Sequence, residues 1–355
     1  MRDADWVHAV WEGEGVGARV ARGALLPAEM LFQAVTSVRS ALYSAGLLAT
    51  RDTAVPALSV GNLTVGGTGK TPLAAHVARR MQEMGARPAI VLRGYGDDET
   101  LVHRTLNPDI PIVLSPDRVA GTAQARDLGC DVAVLDDAFQ HRRARRVSDV
   151  VLVSADAWHE TRRHLLPAGP WREPLSAVRR ASLVVVTRKA AGRNRAAEIA
   201  ATVEHVADVP TATVLLDTGE LREVGGRATL PAESLMGRSV LAITGIGNPA
   251  AFHAQLVARG ATVDPATFRD HHRFTSSEVV ALAARATRYD CVVCTLKDAV
   301  KLSRLWPGPS RLWYVSQRVT VESGGDALEA VLKTTLHVRS ASPQRGRPGL
   351  PGPHT

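Results

Sequence analysis

From Pro56 onward, short apolar runs rich in β-branched residues alternate with stretches whose apolar positions recur every three or four residues. The runs are ALSVG (57–61), PAIVL (88–92), PIVL (111–114), DVAVL (131–135), DVVLV (149–153) and SLVVVT (182–187). Continuous apolar runs suit strands buried on both faces, and parallel strands need helical crossovers, so the alternation predicts a mostly parallel sheet flanked by helices over 51–210. A second, smaller α/β unit is expected over 236–337, with SVLAITG (239–245), a helix from Pro249 to Arg259, a helix capped at Thr275 in TSSE, and strands in DCVVCTL and RLWYV. Between the two units, residues 211–235 read as extended pieces with Gly225 and Gly226 at a turn, suited to a linker or small hairpin.

The ends of the chain carry different patterns. Residues 1–23 form an N-terminal segment with Asp3, Asp5, Glu12 and Glu14 and no early apolar block, so no secretory signal is expected there. Over 24–50, Leu31, Val35, Val38 and Leu42 recur at helical spacing, interrupted by Gln33, Ser37, Arg39, Ser40 and Ser44. A charge in mid-segment suits an amphipathic helix lying in a membrane interface better than one spanning it; the alternative is a helix packed on the protein's own core. The tail, 338–355, ends in a stretch too rich in Pro and Gly to pack and is expected to be disordered.

Composition narrows the partners. Hydrophobic residues at 45% and charged residues at 22% describe a soluble protein with a substantial core. The net charge of +8 favours an anionic partner: nucleic acid, an acidic lipid surface or a phosphorylated substrate. Aromatics at 4% leave few rings for stacking bases, so no nucleic-acid partner is expected. The three cysteines, Cys130, Cys291 and Cys294, are too few for a disulfide framework. Cys291 and Cys294 make a CxxC without a second ligand pair, inside an apolar run, and read as buried strand residues. No pattern in the sequence sets the oligomeric state.

The strongest chemical signal is SVGNLTVGGTGKTPLAAHVARRM, a strand, a glycine-rich turn and a helix with Leu73, Val77, Met81 and Met84 on one stripe. This is the context of a phosphate-binding loop, here Thr64, Val65, Gly66, Gly67, Thr68, Gly69, Lys70 and Thr71. Glycines let backbone N–H groups approach ATP phosphates, Lys70 reaches the β and γ phosphates, and Thr71 ligates Mg²⁺. The strict pattern wants glycine where Thr64 stands. Downstream, DVAVLDDAF delivers Asp136 and Asp137 from a buried strand, as a magnesium-binding acid requires; the alternative is two acids capping a strand end.

A kinase for an alcohol also needs a group to take the hydroxyl proton, because alcohols do not ionise near neutrality. Two places offer one. GYGDDET places Asp97, Asp98 and Glu99 in a glycine loop after a strand, and FRDHHRF places His271 and His272 beside Asp270. Taken alone, each reads more simply as a solvated turn.

Together, SVGNLTVGGTGKTP, LRGYG, LDDAFQHRRARR, LLPAGPWREP, TGIGNPAAF, FRDHHRF and TLKDAVKL, in this order from about Leu25 to Leu336, closely resemble the tetraacyldisaccharide 4'-kinases, the lipid A 4'-kinases of Gram-negative bacteria. The resemblance implies a P-loop NTPase-like α/β fold and transfer of the ATP γ-phosphate to the 4'-hydroxyl of a lipid A disaccharide 1-phosphate. It also implies peripheral attachment at the cytoplasmic face of the inner membrane through the amphipathic helix. By that resemblance, Asp136 and Asp137 lie near Mg²⁺ and Asp98 is the catalytic carboxylate, with His271 as the partner that orients it and raises its basicity. The glycine loop runs straight into DDE, where the family has a longer insertion, so Asp97 is the alternative counterpart. The basic run 141–146 by itself reads as a solvated face or a nucleic-acid patch; the resemblance makes Gln140, His141, Arg142 and Arg172 substrate contacts, with a structural loop the alternative for Arg172, and sets Arg142 and Arg145 to meet phosphate. The competing class is a membrane-associated ATPase switch of the partitioning type, whose signature lysine would stand where this chain has Val65. A nucleotide-gated scaffold or nucleic-acid binder built on the positive charge is the non-enzymatic reading.

Overall fold

The computed structural model describes residues 5–94, 97–159, 162–307 and 310–341. Two helices come first, α1 (Asp5–Glu12) and α2 (Val16–Ser44). The first half of the body is β1 (Arg51–Asp52), β2 (Ala57–Asn62), α3 (Lys70–Glu83), β3 (Pro88–Leu92), α4 (Asp97–Leu106), β4 (Ile112–Leu114), α5 (Arg118–Asp127), β5 (Val132–Asp136), β6 (Ala144–Arg145), β7 (Ser148–Ser154), β8 (Leu183–Arg188) and α6 (Arg193–Val206). Then follow β9 (Thr211–Glu223), β10 (Thr229–Leu230), β11 (Ser239–Thr244), α7 (Pro249–Ala258), β12 (Thr262–Thr267), α8 (Ser276–Ala286), β13 (Cys291–Thr295), α9 (Leu296–Leu302), β14 (Leu312–Ser323) and α10 (Gly325–Ala341).

One sheet runs through the molecule in the order β12-β11-β13-β14-β9-β8-β7-β2-β5-β3-β4, with β10 paired to β9. Strands on either side of the β14–β9 junction are parallel to their neighbours, and the junction itself is antiparallel. The apolar runs read from the sequence are these strands. Both faces are covered: α3 and α10 pack Leu73, Val77, Met81 and Leu332 on one side, and α6 packs Ile199 and Val203 with Phe139, Trp158 and Trp171 on the other. The second half is covered by α8 and α9 on one face and α7 on the other.

The stretch expected as a linker or small hairpin is instead mostly the seam of the sheet. Val214, Leu216 and Leu221 are fully buried, so Thr211–Glu223 pairs with β8 and then with β14 before turning back as a short hairpin with β10. The turn expected at Gly225 and Gly226 is the one that leads into β10, and the extended residues before it are strand because their apolar side chains are buried in the core.

Helix α2 starts at Val16, eight residues before the amphipathic pattern, and passes through Pro27. Its apolar stripe is turned away from the protein: Met30, Leu31, Val35 and Val38 are 58–70% exposed. Phe32 and the buried Arg22, which donates to the Gly13 carbonyl at 2.8 Å, face inward. Among the described residues no helix is long and apolar enough to cross a membrane. The Pro- and Gly-rich stretch 342–355, expected to be disordered, lies outside the described residues.

Candidate active site

Strand β2 ends at Asn62, and the chain wraps through 63–69 into the first turn of α3 at Lys70. Side chains at the ends of β2 and β8 hold this loop. Asn62 Nδ2 donates to Thr68 Oγ1 at 2.9 Å, Thr187 Oγ1 donates to the Thr68 carbonyl at 2.8 Å, and Lys189 Nζ donates to the Gly67 carbonyl at 3.1 Å. Gly69 sits at φ +90°, and a Cβ there would strike Leu216 of the seam, so only glycine fits. Thr64, where the strict pattern wants glycine, forms an isolated bridge with Trp171, an extended conformation open to any residue. The result is a rigid turn at the positive end of a helix, a ready anion site.

Around the loop lies a cavity of about 300 Å³ lined by residues 65–72, Glu99, Asp137, Arg172 and Lys189 from the first half and by Asp270, His271 and Lys297 from the second. Burial lowers the Lys70 ammonium, opposed by the carboxylate of Asp137 3.8 Å away. Asp137, at φ +49°, also accepts from Arg172 at 2.9 and 3.1 Å. Burial alone would raise the Asp137 carboxyl; Lys70 and Arg172 outweigh it and hold it below the usual range. Asp136 ends β5, buried, with Oδ2 2.9 Å from His103 Nε2 and its carbonyl accepting from Arg118 at 2.8 Å. Its Oδ1 is buried without a hydrogen-bond partner among the described residues. The two neighbouring acids are thus held differently: one tied to cations of the cavity, the other with an oxygen to spare.

The proton-handling candidates meet across the halves. Asp98, in the first turn of α4, lies with Oδ2 3.1 Å from His271 Nδ1. His271 lines the cavity and Asp98 stands behind it. The His271 backbone is at φ +54°, costing about 1–2 kcal/mol for a residue with a Cβ, and its N–H is held by Asp270 Oδ1 at 3.0 Å. Burial pushes the Asp98 carboxyl up, but the hydrogen bond and charge of His271, with Lys301 and Lys297, bring it to about 2. The same hydrogen bond raises His271 above 6.5 against burial and Lys297. His272 is engaged elsewhere: its Nε2 lies 3.0 Å from Glu278, the residue that closes the α8 capping box with Thr275. The side chain of Asp97 lies outside the described residues.

The remaining expected contacts separate. Gln140 braces the loop from behind, donating to the Asn62 carbonyl at 2.9 Å. His141, held low by burial, is away from the cavity. Arg142 does not reach the phosphate loop; it donates to the Ser40 carbonyl at 2.7 Å and lies over the Tyr43 ring of α2. Arg145 pairs with Asp52 at 3.1 Å on the surface. Within the basic run Arg142 seats α2, while Arg143, Arg145 and Arg146 pair with Asp117, Asp52 and Asp149, and only Arg172 of the expected arginines faces the cavity.

Comparison with known proteins decides the family. The family model for tetraacyldisaccharide-1-P 4'-kinase matches residues 21–105 and 96–337. The chain belongs to this family. A tetraacyldisaccharide 4'-kinase of Anaeromyxobacter dehalogenans is 39% identical over 92% of this chain and 94% of the relative. That of Xanthomonas campestris is 34% identical over 78% of this chain and 83% of its own length. The crystal structure of LpxK from Aquifex aeolicus in complex with ATP superposes with a TM-score of 0.69 at 26% identity, covering 89% of this chain and 99% of that one.

Sequence reasoning passed over several residues of this kinase-family site. Lys189 follows β8 directly, and charged residues at the C-terminal ends of parallel strands are where ligands gather; that signal was present in SLVVVTRK. Lys297 and Lys301 stood in a motif given no role. His103 of α4 and Arg118 of α5 carry no motif in the sequence, because what they do at the site is hold the buried Asp136.

The stabilisation contributed by the Asp98–His271 pair is lost from both sides: it fades as pH rises through the raised His271 value and as pH falls toward about 2, where Asp98 protonates. NMR titration should place the His271 imidazole midpoint above 6.5, and Asp98→Asn should lower it, since the Asp98 hydrogen bond that raises it is lost while burial and Lys297 still act against Asp270. A midpoint unchanged in Asp98→Asn would show that another group sets it.

Proposed function

We propose that this chain transfers the γ-phosphoryl group of ATP to the 4'-hydroxyl of a tetraacyldisaccharide 1-phosphate, the lipid A precursor. The observation that carries the proposal is that the phosphate loop and His271, brought from opposite halves of the sheet, line one cavity, with Asp98 behind the imidazole.

Residues 64–71 hold the triphosphate through backbone N–H groups and Lys70, with Arg172 and Lys189 adding positive charge beside them. The donor set suits Mg²⁺: the Thr71 hydroxyl and Asp137 line the phosphate end of the cavity, and Asp136, next to Asp137 in the chain, keeps a buried Oδ1 with no hydrogen-bond partner among the described residues, so these hard oxygens would hold the ion. Among the described residues no cluster of three or more His, Cys, Asp or Glu could hold a metal by itself, which fits an ion that shares its ligands with substrate phosphates. When bound, the ion neutralises charge on the β and γ phosphates. The 4'-oxygen forms a bond to the γ-phosphorus as the bond to the β–γ bridging oxygen breaks, releasing ADP. His271 takes the hydroxyl proton at Nε2 while Asp98 accepts from Nδ1 and stabilises the imidazolium. This reverses the order implied by resemblance: the imidazole is the group at the cavity, and a carboxylate brought to about 2 is too weak a base to receive the proton itself.

The exposed apolar stripe of α2 supports attachment to a lipid surface, with its arginine-anchored other face fixing the helix to the body. We place the enzyme at the cytoplasmic face of the inner membrane, peripheral rather than spanning.

Purified protein incubated with γ-labelled ATP and the disaccharide 1-phosphate should yield lipid carrying a second, labelled phosphate, and Lys70→Ala or His271→Ala should lower the rate by at least ~100-fold. Labelled inorganic phosphate without labelled lipid would overturn the proposal in favour of an ATPase. Replacing Leu31, Val35 and Val38 together by Glu should abolish co-sedimentation with anionic vesicles and leave ATP binding intact; unchanged co-sedimentation would remove α2 as the anchor.

A further inference from the structure

Behind the Asp98–His271 pair lies a chain of buried charges that the phosphoryl transfer does not itself use. Lys301, on α9, is 15% exposed in its side chain and reaches Asp98 Oδ2 at 3.6 Å, the same oxygen that faces His271 Nδ1. On its other side it lies 3.8 Å from Asp298 Oδ1. Asp298 is fully buried; its Oδ2 accepts from the Gly245 N–H at 3.0 Å and from Thr295 Oγ1 at 2.6 Å, and its Oδ1 has no hydrogen-bond partner among the described residues. The Lys301 ammonium is likewise buried, with no hydrogen bond among the described residues. Two carboxylates, one from α4 and one from α9, thus bracket one ammonium.

A buried ammonium is costly unless paired, and removing one partner of such a set costs far more than the set contributes. Lys301 does not line the cavity, so substrate binding does not explain it. What it touches does. Asp98 is faced by His271 from the loop after β12 and by Lys297 and Lys301 from α9, with Glu99 beside it on α4; His271 is faced by Asp98, Asp270 and Lys297. Asp298 is the buried acid behind them, and its backbone partner Gly245 begins the 245–248 loop. In that loop a Cβ at Gly247 would sit 3.3 Å from the Gly67 nitrogen of the phosphate loop.

We propose that Lys301, anchored on Asp298, is a positioning residue that fixes the Asp98 carboxylate, and through it the His271 imidazole, beside the phosphate loop. The proposal rests on the reading of the Asp98–His271 pair as proton acceptor. Without Lys301 the Asp98 carboxylate loses a cation, attracts the imidazolium proton more strongly and turns more freely.

The test is the pH–rate profile of Lys301→Met against wild type with the same ATP and lipid. The acid limb should move to higher pH by about one unit, and kcat should fall roughly tenfold or more. KM for ATP should hold steady, and the NMR midpoint of His271 should move upward in parallel. Lys301→Arg, which keeps the charge, should restore the profile at least in part. Because Lys301→Met leaves Asp298 alone in the core, Lys301→Met/Asp298→Asn removes both charges while an Asn oxygen still accepts from Gly245 and Thr295; it should show the same shift. Asp98→Asn separates the two claims. If it turns over normally, the proton-acceptor reading is wrong; if it is impaired while both Lys301 variants keep the wild-type profile and kcat, the positioning proposal alone is overturned.

Discussion

The hydrogen bond from His271 to Asp98 is the contact on which the active site depends, because its two ends come from opposite halves of the sheet. The imidazole hangs from the loop after β12, at one edge; the carboxylate opens α4, which follows β3 near the other. A phosphate loop alone binds nucleotide. The group that can take a proton from an alcohol reaches that loop only when the two halves are held in one register, and this single contact records that they are.

The seam supplies the register. Strand β9 pairs parallel with β8 and antiparallel with β14, so the first half's sheet continues into the second without a flexible connection. Leu216 of that strand is fully buried and packs where a Cβ on Gly69 would otherwise stand, so the strand joining the halves also shapes the phosphate loop. On the far side of the cavity, Gly247 closes against Gly66 and Gly67. Close packing of this kind transmits position with little slack, and the left-handed backbone of His271 is tolerated because Asp270 and Asp98 hold the residue from two directions.

Much of this was legible in the chain itself. The parallel strands were visible because burial on both faces leaves unbroken apolar runs, and the phosphate loop because Gly66, Gly67, Gly69, Lys70 and Thr71 must follow a strand and open a helix. The pairing of Asp98 with His271 came from family resemblance; 173 positions apart, they carry no local pattern that joins them. The seam was legible in part: its extended conformation and the hairpin turn at Gly225 and Gly226 are present, but Thr211–Glu223 is locally ambiguous, and only its partners β8 and β14 make it a central strand. Arg142 shows the limit of charge patterning, since HRRARR looks the same whether it meets phosphate or, as here, the Ser40 carbonyl and Tyr43 ring of α2. His103 and Arg118 act on the buried Asp136 from helices, at distances along the chain that no spacing rule covers.

The central claim, that Asp98 and His271 work as one unit across the seam, is tested most directly by a double-mutant cycle on kcat/KM for phosphoryl transfer, using Asp98→Asn, His271→Ala and the double variant. If the side chains act together, the double variant will be about as slow as the slower single one. Losses that multiply, with the double variant slowed by the product of the two single effects, would contradict the account.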